Sequence, residues 1–391
     1  MTRLDLTGLA TRPAQVWGGV RLVPLVREEP VDGLRLHRRV YEETLGTVDL
    51  GDRRTYVSYI PHGLVAEWAA DGAADGAAAA YGTALGEDRP RSMPVRAHRR
   101  TARREGRDRL RFLPLHLALE SYLSLHFGGP TVLWEQWSQR AVRSGLSPRA
   151  EEAYSGAAVR GLADALKVFE IHPGQCGLVL YVADTLAAAF AVPHPDDYRA
   201  LHPTLVHDLF GEPIHHAATL MMPLPDFRAR IPGPGIGSLA DLRAAADGQE
   251  RAWAEFHDST MAAGLLAAEV RPSTVQRLGP FTLDRFLPRF RPGEENHIGE
   301  TVTDGAGRIA YLKTFRLSEA QIRRGHLLDT LAAHDWHLGR AAEALGSTEA
   351  RLGLRLESAG FGLLLRQDVL DGYRRQVRTG HTAASRRPSA K

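Results

Sequence analysis

Residues 177–192 read GLVLYVADTLAAAFAV. Two apolar runs, Gly177–Val182 and Leu186–Val192, flank Ala183-Asp184-Thr185. Short apolar runs broken by a small polar turn predict an antiparallel strand pair. Neither run alternates with polar residues, so both faces of the pair are expected to be covered.

On the N-terminal side, residues 16–85 read as β-rich. The runs Val16–Val26, Leu34–Val40, Thr55–Ile60, Leu64–Trp68 and Ala77–Leu85 are short and apolar or alternating. Gly18-Gly19, Asp32-Gly33, Gly51-Asp52, Pro61-His62-Gly63 and Asp71-Gly72 separate them as turns. This pattern predicts an antiparallel sheet or small barrel. Between Arg89 and Arg111, ten arginines meet only Glu105 and Asp108. That stretch reads as a solvated connector, with a polyanion-binding arm as the alternative. From Arg109 the period turns helical through Leu110, Leu113, Leu117 and Tyr122, and Gly128-Gly129-Pro130 stops it. Trp134 and Trp137 mark a second helix. Ser147-Pro148 open a third that runs to about Phe169.

On the C-terminal side, Pro195–Leu209 and His215–Met222 read as helices, and residues 223–238 as a proline- and glycine-rich loop. Leu239 to Ala268 is predicted as one long helix. Val275–Leu278, Phe281–Phe286 and Arg308–Phe315 suggest a small sheet.

The segment 327–361 is the most specific in the chain. Leu327, Leu328 and Leu331 face inward from one helix, and Leu338, Ala341, Ala342 and Leu345 from a second. Gly346 is a natural helix terminator. Ser347 or Thr348 caps a third helix whose inward face is Leu352, Leu356 and Ala359. Two helices joined by a tight glycine turn form a helix-turn-helix. The segment resembles the Fis-type unit at the C-termini of bacterial enhancer-binding regulators, at Leu338, Arg340, Ala341, Ala342, Leu345, Gly346, Leu352, Leu356 and Gly360. The resemblance implies DNA binding as a dimer, because one recognition helix reads a half-site. Arg340, Thr348, Arg351 and Arg355 are the candidate DNA-contact residues. Glu349, Gly353, Leu354 and Glu357 depart from the pattern, on the face where that family meets the duplex.

Trp17-Gly-Gly-Val-Arg-Leu-Val-Pro-Leu-Val, His172-Pro-Gly-Gln-Cys-Gly-Leu-Val and Pro195-Asp-Asp-Tyr-Arg-Ala-Leu-His-Pro-Thr-Leu carry a second resemblance, over residues 15–315. They are similar to the ARG and rhodanese-phosphatase-superfamily-associated domain proteins, an actinobacterial family. The resemblance implies a β-rich part ahead of a strand–turn–strand–helix unit. It also implies an association, through gene neighbourhood, with stress or conflict systems, and it carries no catalytic residue.

The expected fold is α+β: a β-rich N-terminal part over 1–85, an arginine-rich linker over 86–108, and an α/β middle domain over 109–236. A helix and small sheet follow over 237–317, then the trihelical unit over 318–378 and a disordered basic tail over 379–391.

Composition narrows the function. The chain has 391 residues, a hydrophobic fraction of 43% and a net charge of +3. No apolar run reaches the ~18 residues of a membrane helix, and the N-terminus does not read as a signal peptide. The single cysteine, Cys176, excludes an internal disulfide and a cysteine-based zinc site. The cytoplasm is the expected compartment. Lys167, Lys313 and Lys391 are the only lysines, and none follows a phosphate-loop pattern. There is no Gly-x-Ser-x-Gly elbow, and no His-x-x-x-His pair within His194, His202, His207, His215 and His216. No cofactor and no metal are expected. Cys176 reads as a buried strand cysteine rather than a nucleophile for His172. Glu294, Asn296 and His297, with His172, are the candidate ligand-loop residues, against the plainer reading of a hydrated turn.

The leading expectation is a DNA-linked regulatory or stress-system adaptor, acting as a homodimer or with a partner protein. The alternatives are a non-catalytic interaction module whose trihelical tail only packs, and an enzyme acting on a nucleotide-like ligand.

Overall fold

The hairpin forms where the sequence places it. Strands Gln175–Val182 and Thr185–Ala191 pair antiparallel, Leu178 opposite Phe190 and Val182 opposite Thr185. Ala183 and Asp184 both take positive φ, 51° and 56°. That is the backbone of a two-residue turn whose twist matches the flanking strands. The computed structural model describes residues 2–36, 47–49, 55–57, 65–67, 77–78, 102–104, 110–112, 166–202, 221–225, 227–231 and 233–384.

The hairpin is the middle of one antiparallel sheet. In chain order its strands are β1 Thr2–Arg3, β2 Ala10–Thr11, β3 Gln15–Trp17, β4 Val20–Val26, β5 Gln175–Val182 and β6 Thr185–Ala191, followed by β7 Glu269–Leu278, β8 Phe281–Leu287, β9 His297–Thr303 and β10 Ile309–Arg316. The spatial order is β1-β7-β8-β9-β10-β6-β5-β4-β2, with β3 against β4. Strands expected in three separate stretches thus share a single sheet. Hydrophobic patterning finds strands but not their partners, and the joins are long-range: β4 to β5, with Leu178 opposite Pro24, and β6 to β10, with Ala188 opposite Phe315.

The sheet must be curled. Laid flat, its terminal strands β1 and β2 would stand about 38 Å apart at ~4.8 Å per strand. The chain from Arg3 to Ala10 reaches at most about 25 Å. This short link crosses one end of the sheet, where the Ile309 amide donates to Thr7 O. Arg27, just past β4, holds the same end. Its guanidinium donates to the carbonyls of Val192, Gly8 and Ala310 at 3.3, 3.4 and 3.1 Å, and to Ile309 O.

Both faces of the sheet are buried, as the hairpin's composition predicts. One carries Leu22, Leu178, Leu180, Phe190, Ile298, Val302 and Tyr311. The other carries Val23, Leu25, Val179, Tyr181, Ala189 and Leu312, and packs against Trp253 and Leu265. Burying a side chain of this size stabilises by roughly 1.5–3 kcal/mol.

Several expectations are corrected. The long helix over 239–268 is α1, Leu239–Phe256, a π-turn at His257–Met261 and a short turn, Ala263–Leu266; the chain is a strand again by Glu269. Strand β9 forms where the sequence reads as part of a turn. Its Glu300 and Thr301 are polar, yet Glu300 is 3% exposed and answers a cation on each neighbouring strand, the buried Lys313 and the partly buried Arg285. Leu110–Phe112 is not helical but pairs with Ala102–Arg104, following its apolar–charged–apolar alternation. Thus part of the expected linker is also strand. The helices expected around Trp134, Trp137 and Ser147 lie outside the described residues, as do most of the arginine-rich stretch and His207, His215 and His216.

The chain ends in helices α2 Glu319–Ala333, α3 Leu338–Ala344, α4 Glu349–Leu356 and α5 Gln367–Ala384. Ser318 and Gln321 form a capping box at the start of α2. Gly325 on α2 lies against the Phe290 ring, and Asp329 pairs with Arg271 of β7 at 2.8 Å, which seats α2 beside the sheet. The basic tail expected to be disordered from 379 is helical to Ala384, because α5 continues an amphipathic pattern anchored by Leu370, 3% exposed. Residues 385–391 lie outside the described residues.

Candidate functional site

The candidate DNA-contact residues lie on α3 and α4. After α3, Gly346 at φ +58° reverses the chain. Ser347 N donates to Ala342 O and Gly346 N to Glu343 O, each at 2.9 Å, the paired bonds of a glycine-terminated helix. Thr348 then caps α4, its hydroxyl accepting from Arg351 N at 3.3 Å. Arg351 and Arg355 stand one turn apart on a single exposed face of α4. Among the described residues neither makes an ion pair. Arg340, also exposed, lies in the first turn of α3.

The four residues that depart from the expected pattern have a structural explanation in three cases. A Cβ on Gly353 would lie 2.5 Å from Cδ2 of Tyr373 on α5. The Tyr373 hydroxyl donates to Glu349 Oε1 at 2.5 Å. Partial burial, with that carboxylate as acceptor, pushes the Tyr373 phenol up to about 12. Arg374, one residue on, pairs with Glu357. One flank of α4 is thus a seat for α5. Leu354 is half-buried.

The candidate ligand loop is divided by the structure. Asn296 is spent on the turn itself: its Oδ1 accepts from Arg291 N, and its Nδ2 donates to Arg291 O and Glu294 O, at 2.9–3.1 Å. Glu294 is exposed, with Arg291 at 3.5 Å. His297 is buried, and its Nε2 lies 2.6 Å from Glu295 Oε1. Burial outweighs that carboxylate and holds the imidazole below its ordinary range. Burial would raise Glu295, but the His297 hydrogen bond, with the charges of His297 and Arg316, holds it below the usual carboxylate range. Gly264 makes the room: a Cβ there would fall 2.5 Å from the Glu295 carboxyl carbon.

His172 is not part of this cluster. His297 pairs with Arg316, one residue beyond Phe315, and Phe315 connects through Ala188 to Leu180. His297 therefore lies at the Tyr181 end of β5, whereas His172 precedes Gln175 at the opposite end. Among the described residues, the exposed His172 ring meets only its neighbour Pro173 O, at 3.1 Å. Cys176 is fully buried, its Sγ 3.6 Å from Leu25 O, and burial pushes its thiol up to about 11. A thiol so protonated is no nucleophile.

The structure brings together one set that sequence reasoning missed: Tyr181, His257 and Asp258. His257 Nδ1 lies 2.7 Å from Asp258 Oδ1, and its Nε2 lies 2.8 Å from the Tyr181 hydroxyl. With Nδ1 facing the carboxylate, Nε2 is left to accept a hydrogen bond from the Tyr181 hydroxyl. Burial, then the charges of Glu295 and Asp258, hold that phenol far above its usual range. Tyr181 and His257 are both fully buried. The arrangement locks a phenol in its neutral form and fastens the π-turn to the sheet. The sequence signal was faint: His257 follows the inward-facing Trp253 of α1 by four residues, in the π-turn that continues the helix.

An open cleft of about 620 Å³ is lined by Arg21, Asp184, Phe227, Trp253, Phe256 and Met261 among others, and a second of about 570 Å³ by Val31, Phe281, Asp304 and Arg308 among others. Neither is lined by His172 or His297. Among the described residues no group of three or more His, Cys, Asp or Glu converges to hold a metal ion. Among them, too, no helix is long and apolar enough to cross a membrane.

No curated protein and no solved structure matches the chain. A family model does, from Leu4 in the link beyond β1 to Gly279 in the turn between β7 and β8. The match takes in the hairpin, α1 and the Tyr181–His257 cluster, and leaves β8 to β10 and α2 to α5 beyond it. With residues 4–279 matched, well over half its length, the chain belongs to the ARPP-2 family.

Proposed function

We propose that this protein is a DNA-linked regulatory or stress-system adaptor of the cytoplasm. The curled sheet is its interaction module, and α3 and α4 act as a Fis-type helix-turn-helix. One observation carries this reading: α4 follows a glycine-terminated α3, is capped by Thr348, and presents Arg351 and Arg355 on one exposed face with no anionic partner among the described residues. A cationic face on a short helix after a tight turn suits phosphate contact. Binding as a homodimer follows from the reading, since one such helix spans a half-site.

Fluorescence anisotropy with random duplex DNA across a salt series tests it. Affinity should fall steeply with salt, and Arg351→Ala with Arg355→Ala should weaken binding. Folded protein that fails to bind at ~50 mM salt would sink the reading.

A second reading, a tail that only packs, is favoured by the seat that α5 occupies on α4. The same anisotropy experiment separates the two. The enzyme reading has no comparable support, because His172 stands at the other end of β5 from His297 and Asn296 is committed to its own turn.

A further inference from the structure

Arg21 of β4 stands opposite Tyr181 of β5 and is 5% exposed. Its guanidinium is fixed twice. Nε donates to Asp184 Oδ1 in the hairpin turn at 3.0 Å, and Nη2 donates to Pro225 O at 2.9 Å. Among the described residues, Nη1 has no partner. Arg21 lines the open cleft of about 620 Å³, so a guanidinium already oriented is held there with one nitrogen unspent.

The walls of this cleft are aromatic. Trp253 is buried, and its Nε1 donates to Arg12 O at 3.1 Å, so its ring has only apolar surface left to offer. Phe227 and Phe256 lean on it, with ring centroids at 5.2 and 6.2 Å and interplanar angles of 46° and 47°. Phe256 is 50% exposed. The π-turn shapes the same wall. In an unbroken α-helix, residues five apart point about 140° away from each other. The bond from Ala262 N to His257 O, at 2.7 Å, spans five residues, and Phe256 and Met261 both line the cleft. Turns of this kind occur frequently at functional sites.

Among the described residues that line the cleft, the charged ones are Arg21, Arg228 and Asp184. Asp184 is engaged by Arg21, whereas the exposed Arg228 makes no ion pair among the described residues. Gln249 spends its Oε1 on Arg230 N at 3.3 Å, which leaves its amide nitrogen to donate. The polar groups still available are therefore mainly donors, set beside apolar rings. The volume falls within the ~300–1,000 Å³ of small-molecule sites.

We infer that this cleft binds a small aromatic anion. Its ring system lies against Trp253, Phe227 and Phe256, where offset and edge-on ring contacts are available. Its anionic group meets Arg21 and Arg228, whose planar forks match carboxylate and phosphate oxygens alike. The site belongs to the sheet, and it stands whether or not α4 meets a duplex.

Calorimetry on the full chain tests it with 1-naphthylacetate, 1-naphthyl phosphate and the neutral 1-naphthylacetamide. At least one anion should bind with a Kd of ~1 mM or tighter and about tenfold more tightly than the amide. Which anion wins distinguishes a carboxylate ligand from a phosphate ligand. Phe256→Ala removes a half-exposed ring and should weaken the better anion and the amide alike, by about fivefold or more. Arg228→Gln should lower the preference for the anion and leave the amide unchanged. Arg21→Met should remove most of that preference, and the other two variants carry the test even if Arg21→Met fails to fold. Equal affinity for anion and amide would overturn the inference, since the cleft would then be an apolar seat for a partner's side chain. Absence of binding at ~10 mM probe would overturn it too. So would affinities unmoved by Phe256→Ala, because the probe would then sit elsewhere.

Discussion

The ring of Tyr373 stands where a side chain on Gly353 would project, with Cδ2 and Cε2 at 2.5 and 2.7 Å from the position of a Cβ. A single methyl therefore tests how α5 is seated. Gly353→Ala favours α4 itself by about 1 kcal/mol of helix propensity. The same methyl overpacks the contact with α5, which costs typically about 1–3 kcal/mol. The two effects fall on different helices, so hydrogen exchange separates them. Amides of residues 367–379 should exchange faster while those of Glu349–Leu356 keep or gain protection. Unchanged protection across α5 would show that the ring moves aside freely.

Arg27 closes the end of the sheet by donating to four backbone carbonyls on three segments. Arg27→Met keeps most of the volume and removes every donor. Several charge-assisted bonds are lost and buried carbonyls are stranded, so the expected loss is about 3–5 kcal/mol. Arg27→Lys should recover only part of this, because one ammonium cannot reach as a planar fork does. Urea denaturation should show a lower midpoint at unchanged slope. A midpoint within experimental error of the parent would mean that the short 4–9 link alone holds the curl.

Much of this fold was legible in the sequence where local chemistry decides it. The Ala183-Asp184 turn, the glycine stop at Gly346 and the cap at Thr348 are each written in one or two residues. The single sheet was not, because its order depends on pairings such as Leu178 with Pro24, more than a hundred residues apart. Strand β9 was missed because it carries Glu300, whose partners lie on other strands. Of the candidate residues, Arg351 and Arg355, named from the Fis-type resemblance, lie together on one exposed face of α4. The Tyr373 seat was not legible, because nothing at Gly353 says which helix fills its space. Asn296 and His297 stand out in the sequence as polar residues in a loop; in the fold Asn296 hydrogen-bonds across its own turn, and the buried His297 hydrogen-bonds Glu295.

His202 supplies an acid-stability prediction. It is 7% exposed, and its Nδ1 accepts from the Tyr198 hydroxyl at 2.8 Å, while Gln175 donates to that hydroxyl at 3.0 Å. Burial pulls its pKa from 6.5 to about 4. Between these values the unfolded chain binds the proton and the folded one does not, so stability rises with pH across the window. This contribution is complete above 6.5 and is lost as pH falls toward 4. One proton limits the slope to about 1.4 kcal/mol per pH unit. Urea titrations between pH 4 and 7 should show a shallower dependence for His202→Gln than for the parent. Identical dependences would mean that His202 is protonated in the fold.

Lys313 makes the opposite end of the pH scale informative. It sits on β10 beside Glu300 of β9, with Nζ 3.6 Å from Oε2, and Glu300 in turn accepts from Arg285 of β8 at 3.1 Å. Lys313 and Glu300 are almost fully buried, at 1% and 3% exposed. Burial lowers the Lys313 pKa from 10.5 to about 8, against the pull of Glu300 and with the push of Arg285. Above pH 8 the folded chain has released a proton that the unfolded chain still holds. The Lys313 contribution should therefore rise with pH from 8 toward 10.5, the reverse of ordinary alkaline denaturation. Cys176, raised by burial to about 11, opposes the rise once the unfolded thiol ionises near 9, and the buried phenols of Tyr181, Tyr198 and Tyr311 do so once unfolded tyrosine ionises near 10. The clean interval is thus about pH 8 to 8.5, and a Cys176→Ala background extends it to about 9.5. In Lys313→Met this rise should vanish, and stability at pH 7 should be little changed or higher, since a buried cation is replaced by an apolar chain of similar length. Glu300→Gln should instead cost about 3–5 kcal/mol at pH 7, because the buried Lys313 and the partly buried Arg285 then face each other without the carboxylate between them. If Lys313→Met keeps the rise, or if Glu300→Gln is tolerated, the ladder of Arg285, Glu300 and Lys313 does not carry the charge arrangement that its geometry implies.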